Sequence, residues 1–352
     1  MPWDTGDKDS AIMQPFLHPP GNFIRTCFVL KSIVKIAIIV LQVCCGTITK
    51  AQLIDNTSSF RNINHNSYFR FHYDNDYFTK TDEYYSQGIT LEYVNPSVIN
   101  VPLAKFLWKP YKTNPQFGLT FNLFAYTPTS TAYDSILFGD RPFNANISLK
   151  TFLIQVDTIH QQQVSTALSI GIMGPAALGN EIHTNIHRWL KNPLPHGWQH
   201  QIQNDIIINY QLNYEKQLLS ADNNFLLNTT AEARLGTLNN KISGGFNCMA
   251  GSFNKRFSTI PYNKRKAEYY FYGQGRLNLI GYDVSMQGGL FNRKSPYTIP
   301  GSDISRIIFQ ADAGIILNIK KLYLSYTQSF LTKEFRTGKY HRWGGVSIGF
   351  AL

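Results

Sequence analysis

Acidic residues are scarce in this chain of 352 residues: 22 Asp and Glu stand against 33 Lys and Arg, and only 16% of positions are charged. The resulting balance of +11 favours anionic partners, with nucleic acid and phosphorylated lipid both in range. Nucleic acid is set aside, because no recognition motif, basic helix or aromatic-basic repeat accompanies the charge. Cysteine is scarcer still. Of four, Cys27, Cys44 and Cys45 fall in a leader-like stretch, which leaves Cys248 alone in the remainder. A single cysteine forms no internal disulfide and builds no cysteine-ligated zinc site. Ser86 lies in no Gly-x-Ser-x-Gly elbow of a serine nucleophile, and the His-Glu-x-x-His of a zinc hydrolase is missing.

Near the start, Lys31 and Lys35 precede the apolar run from Ile36 to Val43, and Thr49-Lys50-Ala51 follows. This pattern reads as a signal peptide cleaved after Ala51, with Thr49 and Ala51 as the small residues of the cleavage site. A retained anchor over Phe28 to Ile48 is the alternative, but two lysines inside that stretch make a permanent span costly. Asp4, Asp7 and Asp9 do not suit an n-region, which points to Met13 as the functional start. A lipoprotein signal at Cys44 is disfavoured by the bulky Val43 before it. Residues 1–51 are therefore expected to be extension and leader, and 52–352 a single domain that remains basic.

From residue 67 onward the chain repeats one theme, about ten residues apolar at every second position and then a turn or polar loop. Ile206, Ile208, Tyr210, Leu212 and Tyr214 alternate with Asn209, Gln211, Asn213 and Glu215, the pattern of a strand with one apolar and one wet face. Twelve strands are expected: 67–74, 86–94, 115–125, 147–158, 164–173, 203–217, 224–235, 239–249, 267–280, 303–318, 320–331 and 342–352. Residues 281–290 are a thirteenth or an extension of the ninth. A soluble sandwich also alternates. An antiparallel transmembrane β-barrel is favoured by the export signal, by 20 Tyr and 24 Phe suited to interfacial girdles, and by the alternating terminal strand Val346/Ile348/Phe350/Leu352.

Chemistry concentrates at the ends of the first two strands. Asn75-Asp76 closes one and Ser86-Gln87-Gly88 opens the other, so an amide, a carboxylate and a hydroxyl converge, and a predicted helix further on carries His187. Oxygen ligands for a hard cation, donors for an oxyanion and a base for water together suit a metal-assisted acyl hydrolase. By strand parity Asp76 and Ser86 share one face and Asn75 takes the other, although bulges at strand ends re-aim side chains. On spacing alone an ordinary hairpin turn accounts for Asn75-Asp76 better than a site does. His183 and His187, four apart, invite a zinc reading, yet His-Thr-Asn-Ile-His lacks the catalytic glutamate. The basic loops at 253–266 and 291–302, with Lys255, Arg256, Lys264, Arg265 and Lys266, are either solvated or phosphate-binding.

Six stretches together resemble a known family, the outer-membrane lipid A 3′-O-deacylases of the LpxR type. They are Asn75-Asp76; Tyr85-Ser86-Gln87-Gly88; Gly139-Asp140-Arg141-Pro142-Phe143; Gly174-Pro175 through Gly179 and Glu181 to Asn185-Ile186-His187-Arg188; Trp198-Gln199-His200-Gln201; and Glu334-Phe335-Arg336-Thr337-Gly338. They occur in family order across residues 75–338. The resemblance implies a twelve-stranded outer-membrane barrel with its site toward the outer leaflet, between the wall and a short helix. It implies release of 3′-linked acyl groups from lipid A, with lipopolysaccharide as partner, by a water that histidine activates beside Ca2+. Carried over residue by residue, Asp76 ligates the cation, Asn75 and Ser86 assist with the ion or the oxyanion, and His187 is the general base. Two departures stand out: Lys191-Asn192-Pro193-Leu194-Pro195 lacks the acidic residue that this loop carries in the best-known member, and the chain ends in Leu352 rather than an aromatic. A non-enzymatic barrel, a pore or surface-binding protein on the same scaffold, is the competing expectation.

Overall fold

Alternation of this length leaves the wall strands only two stable settings, apolar face to a core or apolar face to lipid, and the computed structural model takes the second. It describes residues 55–76, 84–221, 224–258 and 265–352. The expected leader and the Ala51 site lie outside them. Twelve strands form: β1 Tyr68–Asn75, β2 Tyr85–Val94, β3 Gln116–Tyr126, β4 Asn144–Asp157, β5 Gln162–Met173, β6 Asp205–Ala221, β7 Phe225–Gly236, β8 Asn239–Ser252, β9 Ala267–Asp283, β10 Ile307–Ile319, β11 Leu322–Leu331 and β12 His341–Ala351. Each pairs antiparallel with its sequence neighbour, and β1 closes on β12 from Tyr68↔Ala351 to Asn75↔Gly344. A closed barrel leaves no unpaired edge, the condition for crossing a bilayer with strands.

In β6, Ile206 and Ile208 point outward, 56% and 51% exposed, while Asn209, Gln211 and Glu215 point into the lumen at 5–7%. The same division holds for Phe69, Leu91, Phe271, Leu277 and Ile348 on the outside against Arg70, Glu92, Gln274, Arg276 and Ser347 on the inside. A sandwich would have reversed it. Residues 281–283 extend the ninth strand, and a short helix, Val284–Gln287, follows in place of a thirteenth strand because Asp283 caps Ser285 N at 2.9 Å.

At the end that holds the strand termini Tyr68 and Ala351, three connections are short: 158–161, 222–224 and 320–321. Two more there are longer, 95–115 and 253–266, and the opposite end carries 127–143, 174–204 and 284–306, which fold over the mouth. There Arg141 pairs with Glu334, donates to Ser285 Oγ at 2.6 Å and stacks on Tyr126 at 4.4 Å, with both charged partners buried. Tyr297 Oη donates to the Asp140 carbonyl at 2.9 Å and accepts from Gly139 N at 2.8 Å.

Candidate active site at the barrel rim

The site is built on the rim opposite the termini. Asn75 ends β1 on the outward parity of Phe71 and Tyr73; its Nδ2 donates to the Ser86 carbonyl at 2.5 Å and to Tyr73 Oη at 3.1 Å. Asp76 follows immediately and is 3% exposed. Across from them β2 begins with a register shift: Tyr85 pairs with Tyr126, but Gln87 pairs with Ala125, so Ser86 is the extra residue of a β-bulge. Strict parity would have turned Ser86 to the lumen with Gly88 and Thr90. The bulge instead aims its Oγ at Thr127 Oγ1, 2.8 Å away, and Thr127 continues the outward set of Leu123 and Ala125. Ser86 therefore joins Asn75 on the outer side of the wall.

Two local features hold the bulge. Tyr85 turns into the lumen among Phe124, Tyr126 and Trp343, with ring centroids 5.5–6.5 Å apart. Gly88 makes room for it, since a Cβ there would lie 1.9 Å from Tyr85 Oη. Gln87 is 2% exposed, and its Nε2 has no hydrogen-bond partner among the described residues. Within Tyr85-Ser86-Gln87-Gly88 no sequence pattern marks this glutamine as functional.

The helix α1, Gly179–Leu190, stands on the outer face of the same rim. Ala125 and Ala145 are register partners in β3 and β4, and with Ala177, Phe143 and Trp198 they form a buried apolar patch. Gly179 seats the helix on that patch: a Cβ there would fall 2.4 Å from Ala145 Cβ and 2.8 Å from the Trp198 ring. Only Gly179 and His183 of the helix are buried, so it is a satellite of the wall.

One turn along, His183 Nδ1 accepts the Trp198 indole N–H at 3.1 Å. Burial first, then neighbouring His187, push the His183 imidazole down to about 3, so it is neutral and its second nitrogen carries the proton. His187 lies a further turn on, its ring 4.4 Å from that of His183. Its Nδ1 is 2.6 Å from the Pro193 carbonyl, which can only accept. In neutral His187 the proton is thereby fixed on Nδ1, and Nε2 carries the free lone pair. The Lys191 to Pro195 segment that follows the helix supplies this carbonyl.

Asn75 and Ser86 are in direct contact, with Asp76 adjoining, while His187 is held separately by α1 on the same outer side of the rim. Among the described residues no three His, Cys, Asp or Glu side chains gather. His183 accepts the Trp198 N–H at Nδ1 and carries its proton on the other nitrogen, so it has no lone pair left for zinc, and the pair does not form a zinc site. The donors beside Asp76 are oxygens of a carboxylate, an amide and hydroxyls, and that set suits a hard cation in type. The basic loops divide: 253–266 leaves the barrel at the terminus end, opposite the site. There Arg256 is buried, 3.3 Å from Glu268 and stacked on Tyr270 at 4.9 Å, rather than solvated; Lys264 lies outside the described residues.

Compared with known proteins, residues 37–352 match the model of one family, described as outer membrane protein LpxR. Among solved structures, LpxR from Salmonella typhimurium superposes with a TM-score of 0.67 at 18% identity, over 81% of this chain and 100% of that one. The β domain of the Bordetella autotransporter BrkA gives a TM-score of 0.40 at 8% identity, over 82% of this chain and 100% of that one. No curated protein matches the chain.

Proposed function

Because this chain belongs to the LpxR family of outer membrane proteins, we propose that it is an outer-membrane ester hydrolase that removes the 3′-linked acyl or acyloxyacyl group of lipid A. The observation that carries the proposal is the His187 tautomer: a base whose Nε2 lone pair is held available by the Pro193 carbonyl, on a helix that serves no strand pairing. Barrels of this class keep chain termini and short turns in the periplasm, which puts the rim of Asn75, Asp76, Ser86 and His187 at the outer leaflet, where lipid A resides. By the same orientation the 253–266 loop is periplasmic and takes no part in binding lipid A phosphates.

In the proposed reaction His187 Nε2 accepts a proton from water as the water oxygen bonds to the ester carbonyl carbon. The tetrahedral oxyanion then collapses, the bond to the sugar oxygen breaks, and the proton passes to that oxygen. The products are a free fatty acid and a sugar hydroxyl. Asp76, with Asn75 and Ser86 beside it, would hold calcium, which supplies positive charge against the developing oxyanion when bound. Gln87 Nε2, buried and unpaired, is an available N–H donor for that oxygen.

A pore on the same scaffold finds no support in the lumen, which is occupied by chain and by buried ion pairs such as Arg70–Glu92 at 2.7 Å. Mass spectrometry of lipid A from cells with and without the protein tests the reading. Loss of one acyl or acyloxyacyl mass is expected, and identical lipid A in the two strains would overturn it.

A further inference from the structure

The chain before β1 does not leave the barrel. Every residue from Asp55 to Asn64 is buried, and the segment runs through the lumen. Near the terminus end Ile63 lies against Gly349. Phe60 stacks on Tyr272 at 4.3 Å, and its carbonyl accepts from Tyr270 Oη at 2.8 Å. Ser59 N donates to Glu215 at 3.0 Å. The Thr57 carbonyl accepts from Gln163 at 2.8 Å, and its hydroxyl meets Ser165 Oγ at 2.8 Å and Asn213 Nδ2 at 2.9 Å. Furthest in, Asn56 donates to Glu92, and Asp55 lies 3.4 Å from Arg234. Arg70 clamps the segment by donating to the Arg61 and Asn56 carbonyls at 2.7 and 3.2 Å.

Two physical points give this arrangement a meaning beyond filling space. A polar lumen must be hydrated or paired, because a buried polar group left without a partner loses its hydration with nothing in return. Here the pairing is done by backbone as well as side chains of the segment, and wall residues from β1, β2, β5, β6 and β9 all turn to it. Extended main chain read by side-chain amides, hydroxyls and carboxylates, with one aromatic inserted between wall tyrosines, is how a groove binds a peptide. Beside the segment the lumen holds a cavity of about 70 Å³, lined by Arg61, Arg70, His72, Glu92 and Lys150 among others.

We propose that the lumen is a peptide-binding site, occupied in cis by Asp55–Asn64, which acts as a plug sealing the luminal polar residues from the terminus end. The ligand class is an extended polar peptide with a single aromatic anchor, and the seal is independent of the chemistry at the opposite rim. The plug also explains why a wall this polar inside need not conduct.

Luminal thiol accessibility tests it. Ser165→Cys, nearly isosteric and 2% exposed, is placed in a Cys248→Ala background, and its reaction with a water-soluble methanethiosulfonate is timed in detergent-folded barrel. Removal of residues 52–64 should speed the reaction by at least about a hundredfold, since protection follows the free energy of opening. A synthetic peptide of residues 52–66 should restore protection, and a scrambled one should not. Should the deletion fail to give a heat-modifiable barrel, Phe60→Ala in the full chain replaces it and should also speed labelling. Unchanged labelling in the folded deletion or in Phe60→Ala, or equal protection by the scrambled peptide, overturns the proposal.

Discussion

His187 Nδ1 lies 2.6 Å from the Pro193 carbonyl oxygen, and in the neutral ring this contact leaves the lone pair on Nε2. His187→Ala should therefore lower lipid A deacylation by about 10²–10⁴-fold while leaving heat-modifiable migration intact, since the helix makes few contacts with the wall. Assay of deacylation in outer membranes checks it. Full activity of the variant would falsify the assignment of the base.

The oxygen set at Asp76 predicts dependence on a hard cation. Chelator should abolish activity, calcium should restore it, and zinc should not. An Asp76→Asn variant should regain part of its activity in excess calcium, whereas His187→Ala should gain nothing. Undiminished turnover in chelator would remove calcium from the mechanism without touching the family assignment.

Gln87 offers an unpaired buried Nε2 next to the bulge at Ser86. Gln87→Met keeps the volume and removes the donor, so kcat should fall by about 10²–10³-fold with KM little changed, the signature of an interaction made in the transition state. A change confined to KM would assign Gln87 to substrate binding instead.

Docking of α1 should depend on pH. The folded state holds His183 at about 3 against an ordinary value of 6.5, so the undocked state binds the extra proton between those limits. Stability of the docked helix is then fully present above about 6.5 and is lost as pH falls through that window toward 3. Hydrogen exchange of the α1 amides at pH 7.5 and pH 4.5 should show faster opening at the lower value. Trp198→Phe, which removes the indole donor, should raise exchange already at pH 7.5.

At the mouth, Arg141 and Glu334 join two motifs nearly two hundred residues apart in a buried pair. Removing one partner strands the other, so Glu334→Ala should cost about 3–5 kcal/mol of local stability. Limited trypsin digestion should cut faster at Arg293 or Lys294, within 284–306, in the variant than in the parent. Equal resistance would show that the apolar packing around Phe335 holds the mouth unaided.

Sequence alone determined the wall. Period-two alternation is local, and once Ile206 or Phe271 is known to face one way, its neighbours must face the other. Twelve two-faced strands follow from that rule, and the family motifs named Asn75, Asp76, Ser86 and His187; that the apolar face turns outward was decided by closure of the barrel. Only the tertiary structure decided where strand ends point. A single inserted residue between Tyr85 and Gln87 reverses the face of Ser86, and no pattern in Tyr85-Ser86-Gln87-Gly88 reveals a bulge that depends on Tyr85 finding Phe124 and Trp343 inside the barrel. Thr127, Trp198 and Pro193 were equally hidden, because each acts through one atom on a partner distant in the chain or across a loop. The plug was hidden for a different reason. Asp55 to Asn64 is short, polar and without period, as a solvated tail would be, and it is buried only because a closed barrel surrounds it with side chains that need partners.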